Sequence, residues 1–211
     1  MPDAKSVLIV VDIQNDFMPG GALAVPDGHA IIDGVNMLAM LFRNVVITQD
    51  WHPVGHVSFA SSHPGRRPFE SIALSYGPQM LWPDHCIQGS AGAALDARLD
   101  IPHAQLILRK GCHLQTDSYS AFFEADHQTP TGLGSYLVER GIDRVFVVGV
   151  ATDFCVAWTA LDARARGFQT IVVEDLCRAI DTNGSLAASI ARMDAAGIRR
   201  TCFSERMLFN R

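Results

Sequence analysis

The sequence predicts an α/β fold built on a mostly parallel sheet, and three observations carry this. Short apolar runs rich in β-branched residues recur along the chain, as in Val7-Leu8-Ile9-Val10-Val11 and Val145-Phe146-Val147-Val148. Continuous runs of this kind mark strands buried on both faces. Segments with apolar residues at helical spacing alternate with them, the order that builds βαβ units with right-handed crossovers. The chain has 211 residues, 48% hydrophobic and 18% charged, enough for one domain, 1–211, with a sizeable core.

Ser6–Val11 reads as the first strand, followed by a loop through Asp12, Phe17 and Gly20-Gly21. A helix is expected from about Ala30 to Phe42, with Ile31, Val35, Leu38 and Phe42 on one face. Val45–Thr48 is a second strand running into Asp50-Trp51-His52-Pro53. From His56 to Cys86 the periodicity dissolves into Pro, Gly, Ser and aromatic residues, and a stretch this long is usually functional. Gln105–Leu108 reads as a strand ending at Lys110-Gly111, and Thr131–Arg140 as a helix stopped by Gly141. The strand Val145–Val148 leads into Gly149-Val150-Ala151-Thr152-Asp153-Phe154-Cys155, then a helix from about Asp153 to Arg166, capped by Thr152 or Asp153. Thr170–Val173 is a further strand, and a last helix from about Asn183 to Ala196 precedes Arg200–Phe203.

Composition excludes several classes of function. A formal net charge of -5 gives no basic footprint for nucleic acid or an anionic membrane, and no apolar run is long enough to span a bilayer. The N-terminus lacks a signal-peptide pattern, and five cysteines without CxxC spacing argue against a disulfide framework, so a cytoplasmic location is expected. No GxGxxG or GxxxxGK[ST] follows any strand, which argues against a nucleotide-binding module.

Ligands of open parallel sheets bind beyond the carboxyl ends of the strands. Asp12, Asp50, His52, Lys110 and Cys155 all follow predicted strands and so fall on that one rim. Cys155 near a helix N-terminus is a candidate nucleophile, and that position together with Lys110 favours its thiolate. Asp12 can take the thiol proton and return it to a leaving group, while Lys110 holds both partners in their charged forms. Asp50-x-His52 with the distant His85 offers one carboxylate and two imidazoles, a set that suits Zn, Fe or Mn with positions left for water and substrate. His56 and His63 are weaker candidates in the same loop, and His29, His103, His113 and His127 read as surface or loop residues. Phe17, Trp82 and Tyr119 can wall a slot for a flat ring.

Five motifs in order resemble the nicotinamidase/pyrazinamidase family of the isochorismatase-like cysteine hydrolases. They are Val11–Phe17, Asp50-Trp51-His52-Pro53, Trp82-Pro83-Asp84-His85-Cys86, Lys110-Gly111 and Gly149–Cys155. The resemblance implies a three-layer αβα sandwich around a six-stranded parallel sheet, with a metal-site loop insertion at about 52–88. It implies hydrolysis of nicotinamide, and of pyrazinamide, through a cysteine thioester in NAD salvage. It carries Asp12, Lys110 and Cys155 as the triad, Asp50, His52 and His85 as ligands of one divalent ion, and His56 or Ser58 as a further or water-mediated contact. It also implies a cis Val150–Ala151 peptide that aims the N–H groups of Ala151 and Cys155 at an oxyanion. Leu23 and Phe154 join Phe17, Trp82 and Tyr119 as expected pocket walls, and a homo-oligomer is left open. A hydrolase of the same superfamily acting on a carbamoyl compound or vinyl ether is the rival, disfavoured because those relatives lack the Asp-x-His and His85 set.

Overall fold

The first strand is apolar at all but one position because it has neighbours above, below and on both sides. In the computed structural model, which describes residues 2–203, β1 (Ser6–Val11) is buried throughout. It pairs in parallel with β2 (Asn44–Asp50) on one side and β6 (Arg144–Val150) on the other. With β5 (Leu106–Lys110), β7 (Gln169–Arg178) and β8 (Arg199–Thr201) these form a six-stranded parallel sheet of order β5-β2-β1-β6-β7-β8.

Side chains alternate across this sheet. Leu8 and Val10 pack with Ile32, Val35 and Leu38 of α1 (Ile32–Ala39). Val7, Ile9 and Val11 pack on the opposite face. Their partners there come from α2 (Leu133–Glu139), the alanines of α3 (Ala157–Ala165) and Met193 of α4 (Ser185–Ala195). The three layers and six strands agree with the expectation from sequence.

Two differences stand out. The segment between β2 and β5 is not without regular structure: β3 (Ser71–Leu74) and β4 (Gly77–Met80) form an antiparallel hairpin within it. Half-exposed and short, with Gly77 and Pro78 in β4, it carries little of the pattern by which strands are read from sequence. The helix after β6 opens with a π-helical turn, Thr152–Val156, before α3. Ala151 takes the cap position, and neither Thr152 nor Asp153 caps with its side chain. Asp153 turns to the neighbouring loop instead, accepting from the N–H groups of Ile180 and Asp181 and the hydroxyl of Ser185.

The sheet order reverses between β1 and β6, which opens a crevice at the carboxyl ends of those two strands. Gly149 is required there. It has φ +117° and lies opposite Val11, where a Cβ would come within 2.1 Å of the Val11 carbonyl oxygen.

Candidate active site

Asp12 and Cys155 flank the crevice, one after β1 and the other in the turn after β6. Asp12 is fully buried and adopts a left-handed backbone, φ 51°, a conformation that costs a non-glycine residue about 1–2 kcal/mol. Its Oδ1 accepts a 2.6 Å hydrogen bond from the Thr48 hydroxyl, which fixes the carboxylate. Its Oδ2 lies 2.9 Å from Lys110 Nζ as an ion pair, and no aligned hydrogen bond reaches it among the described residues.

Lys110 ends β5, in direct register with Asp50 at the end of β2. That register brings the two side chains together. The buried ammonium donates to Asp50 Oδ1, to the Ser118 carbonyl at 3.1 Å and to Cys155 Sγ at 3.4 Å. Lys110 therefore joins the Asp12–Cys155 pair to the Asp50 cluster, a link that sequence reading did not supply. Burial works against its charge, but Asp12 and Asp50 outweigh it and hold Lys110 well above the ordinary lysine range.

Cys155 departs from expectation in its ionisation. Burial, reinforced by Asp12 and Asp50, pushes its thiol well above the ordinary value although Lys110 pulls the other way. The side chain is buried and the residue only 6% exposed, so desolvation overrides the field of a helix end. Burial also raises Asp12, against the pull of Lys110. The resting pair is a neutral thiol beside a carboxylate with one unengaged oxygen, so the proton moves when the sulfur reacts. The Val150–Ala151 peptide is cis, as the motif implied.

Asp50, His52 and His85 are buried and bring one donor atom each within 4.8 Å of one another. Their surroundings select the free nitrogen of each ring. His52 Nδ1 lies 2.9 Å from the Gly111 carbonyl and His85 Nδ1 lies 2.8 Å from the Pro83 carbonyl, so each Nδ1 carries the proton and donates. Both Nε2 atoms then present lone pairs toward Asp50 Oδ2, at 3.6 and 3.9 Å. Carbonyl-oriented imidazoles facing a carboxylate are the outer-shell arrangement of a metal site, and the donor set suits a divalent Zn, Fe or Mn ion. Burial raises the Asp50 carboxyl, yet Lys110 and His52 outweigh it and hold it far below the ordinary range. Burial, with His52 nearby, pushes His85 down to about 4, the neutral form that ligation needs.

His56 and Ser58 are not part of that cluster. His56 stacks on His52 with ring centroids 4.3 Å apart. Its Nε2–H faces the Thr116 carbonyl at 3.3 Å, and its Nδ1 accepts from the Ser58 hydroxyl at 2.7 Å, which leaves no imidazole lone pair free. It falls in a second grouping with His52 and Asp117. His63 donates to the Val57 carbonyl.

All five expected walls, Phe17, Leu23, Trp82, Tyr119 and Phe154, line one narrow cleft of about 20 Å³ that also touches Asp50, His52, His85, Ala151 and Cys155. Asp117 and Ile180 line it too and were not anticipated. Asp117 sits in a loop without periodicity, so nothing in its spacing marks it. Gln14 was also missed: its side chain accepts from the Asp50 N–H and donates to the Asp50 carbonyl, each at 2.8 Å, and so pins that residue. Thr48 had a readable signal, since period two along β2 puts it on the same side as Asp50.

A model of the isochorismatase domain matches residues 6–203. The chain is 58% identical over 193 residues to a nicotinamidase of Acinetobacter baylyi, covering 92% of this chain and 90% of that protein. It is similar to the solved nicotinamidase/pyrazinamidase of Acinetobacter baumanii, with a TM-score of 0.95 at 59% identity over 96% of this chain and 98% of the other. It is also similar to the pyrazinamidase of Pyrococcus horikoshii in complex with zinc, with a TM-score of 0.77 at 34% identity over 94% of this chain and 99% of that one.

Proposed function

The chain belongs to the isochorismatase family, and we propose that Asp12, Lys110 and Cys155 carry its chemistry through a covalent thioester. The activity is that of a nicotinamidase, an amide hydrolase that converts nicotinamide to nicotinate and ammonia, and its place is in NAD salvage. Pyrazinamide, an isostere with a second ring nitrogen, belongs to the same substrate class.

The mechanism starts from the neutral thiol. Asp12 Oδ2, unengaged by any aligned donor, takes the Cys155 proton as sulfur attacks the carboxamide carbon. The N–H groups of Ala151 and Cys155 hold the tetrahedral oxyanion. As the C–N bond breaks, Asp12 returns the proton to the leaving nitrogen and ammonia departs. Water then adds to the thioester with Asp12 as base, and nicotinate leaves as the thiol re-forms. Lys110 stays protonated throughout and balances whichever of Asp12 and the sulfur is anionic.

Asp50, His52 and His85 would hold one Zn, Fe or Mn ion, which supplies a Lewis-acid position for a pyridine nitrogen. Without it the buried Asp12, Asp50 and Lys110 cluster carries one net negative charge. A divalent ion turns that to one positive, which an oxyanion neutralises. Phe17, Leu23, Trp82, Tyr119 and Phe154 flank the ring. In this closed form the cleft has room for little more than a water, so these walls part to admit a six-membered ring. His56 and Ser58 support His52 by stacking and hydrogen bonding rather than by ligation.

We read residues 1–211 as one hydrolase domain with the metal-site insertion at about 52–88; Met1 and residues 204–211 lie outside the described residues. All five cysteines are free, which supports a reducing cytoplasm, and no helix among the described residues is long and apolar enough to cross a membrane.

The observation that carries the mechanism is the single buried ammonium of Lys110 in contact with Asp12, Asp50 and Cys155. Ammonia release from nicotinamide by wild type and by Cys155→Ala tests it. The variant should fold, bind metal and release no ammonia; substantial release would overturn the nucleophile assignment.

A further inference from the structure

A second cavity, about 290 Å³, lies behind the catalytic cleft, with Tyr119 lining both. Its other walls include Tyr76, Phe123 and Trp158, together with the carboxylates of Glu124 and Asp162. No residue of the catalytic reading other than Tyr119 takes part, so the cavity is unexplained by the hydrolysis.

The polar content of this cavity is unbalanced. The Glu124 side chain is only 7% exposed, and its Oε2 has no hydrogen-bond partner among the described residues. Its Oε1 faces only His113 Nδ1, at 3.6 Å. Asp162 Oδ2 is a second buried carboxylate oxygen without a donor. Buried acceptors without donors are uncommon in native structures and call for a partner that brings N–H groups. No lysine or arginine lines the cavity among the described residues, so its charged groups are acidic apart from His127. Arg166 and Arg192 stack on Phe123 and Trp158 at 5.3 and 4.2 Å from the ring centroids without lining it. The walls are aromatic, and aromatic faces attract cations.

We propose that this cavity is a second ligand site, one that takes a small organic ammonium ion. Its N–H groups donate to Glu124 Oε2 and Asp162 Oδ2, and its body packs between Tyr76, Phe123 and Trp158. The volume, near the lower end of the roughly 300–1,000 Å³ of ligand pockets, suits a single ring bearing an aminoalkyl group. An anion would meet two carboxylates, and a neutral alcohol of the same shape would forgo the ionic and cation–π attraction. Burial, opposed by His113 and Lys110, pushes Glu124 up to about 7, so a bound cation draws it into the charged form. The inference does not rest on the catalytic assignments.

Benzylammonium is the probe, titrated calorimetrically into wild-type protein with saturating nicotinate present to fill the catalytic cleft. Binding should persist under nicotinate, and benzyl alcohol should bind at least about tenfold more weakly. Glu124→Gln should weaken the probe by about tenfold or more, the scale of a lost charge-assisted hydrogen bond. Ala125→Trp, which fills the cavity and leaves both carboxylates, should abolish binding while nicotinamide turnover stays within about twofold. Thermal melts establish that each variant is folded, and Ala125→Trp decides the matter if Glu124→Gln is not. Displacement of the probe by nicotinate, equal affinity of either folded variant, or no binding at roughly 10 mM would overturn the proposal.

Discussion

Replacing Lys110 with methionine removes the one cation in a site that holds two buried carboxylates. Its Nζ touches Asp12 Oδ2, Asp50 Oδ1, the Ser118 carbonyl and Cys155 Sγ, and the side chain is 0% exposed. Methionine preserves most of the volume, so packing changes little and the electrostatic loss dominates. Breaking a buried ion pair by removing one partner costs about 3–5 kcal/mol, because the other charge is left uncompensated. For a chain of this length that is a fall of roughly 6–20 °C in Tm, at about 2–4 °C per kcal/mol. The measurement should be made in chelator, since a divalent ion at Asp50 would compensate part of the charge. Neutralising Asp12 as well, in Lys110→Met/Asp12→Asn, removes one stranded carboxylate. The double variant should therefore recover at least about 1 kcal/mol relative to additivity of the two single changes. Turnover should fall by about a thousandfold or more in all three, the scale of losing one member of a catalytic triad. Additive stabilities, or a Lys110→Met protein melting within about 2 °C of wild type, would refute the claim that Lys110 holds these charges together.

Three further outcomes follow from other parts of the molecule. Gly111 has φ +64°, and a Cβ there would come within 2.4 Å of His52 Cε1. Gly111→Ala should therefore displace the ring and lower zinc affinity by about 10–100-fold, measured by competition with a chromophoric chelator; unchanged affinity would mean that His52 is not a ligand. Benzamide has no ring nitrogen to ligate, so metal-loaded protein should hydrolyse nicotinamide and pyrazinamide well and benzamide poorly. Chelation or His52→Ala should erase most of the preference, and equal kcat/KM for benzamide and nicotinamide in the loaded protein would remove the ring-ligation role. The raised pKa of Glu124, about 7 in the fold, gives stability that is full below its unfolded value near 4.5 and is lost as pH rises through 7. Urea midpoints at pH 5 and pH 8 should show Glu124→Gln gaining on wild type by on the order of 1–2 kcal/mol, after discounting for solvent screening. A constant difference across that range would place Glu124 in water.

What the sequence discloses and what it conceals divide along physical lines. β1, β2 and β6 announce themselves because strands buried on both faces have to be apolar. Once they are parallel, Asp12, Asp50, Lys110 and Cys155 share a rim by topology alone. The contact of Lys110 with Asp50 needed the register of β5 against β2, which no local pattern encodes. Asp117 and Ile180 come from loops, where position depends on everything around them. The ionisation of Cys155 was misread because a helix end near Lys110 is a local argument, whereas burial among Asp12 and Asp50 is a property of the assembled site. Asp153 failed as a cap for a similar reason: the loop at Ile180–Ser185 offers it three donors. The hairpin β3–β4 escaped because it is half-exposed and too short to show alternation.

The central claim is that Cys155 becomes covalently acylated during turnover. Rapid acid quenching of protein mixed with excess nicotinamide, followed by peptide mass spectrometry, tests it most directly. The account predicts a nicotinoyl group on the peptide that contains Cys155 within the first turnover, and none on those that contain Cys86, Cys112, Cys177 or Cys202. Ammonia release that proceeds at full rate without that adduct, and that survives in Cys155→Ala, would contradict it and would shift the attack to water.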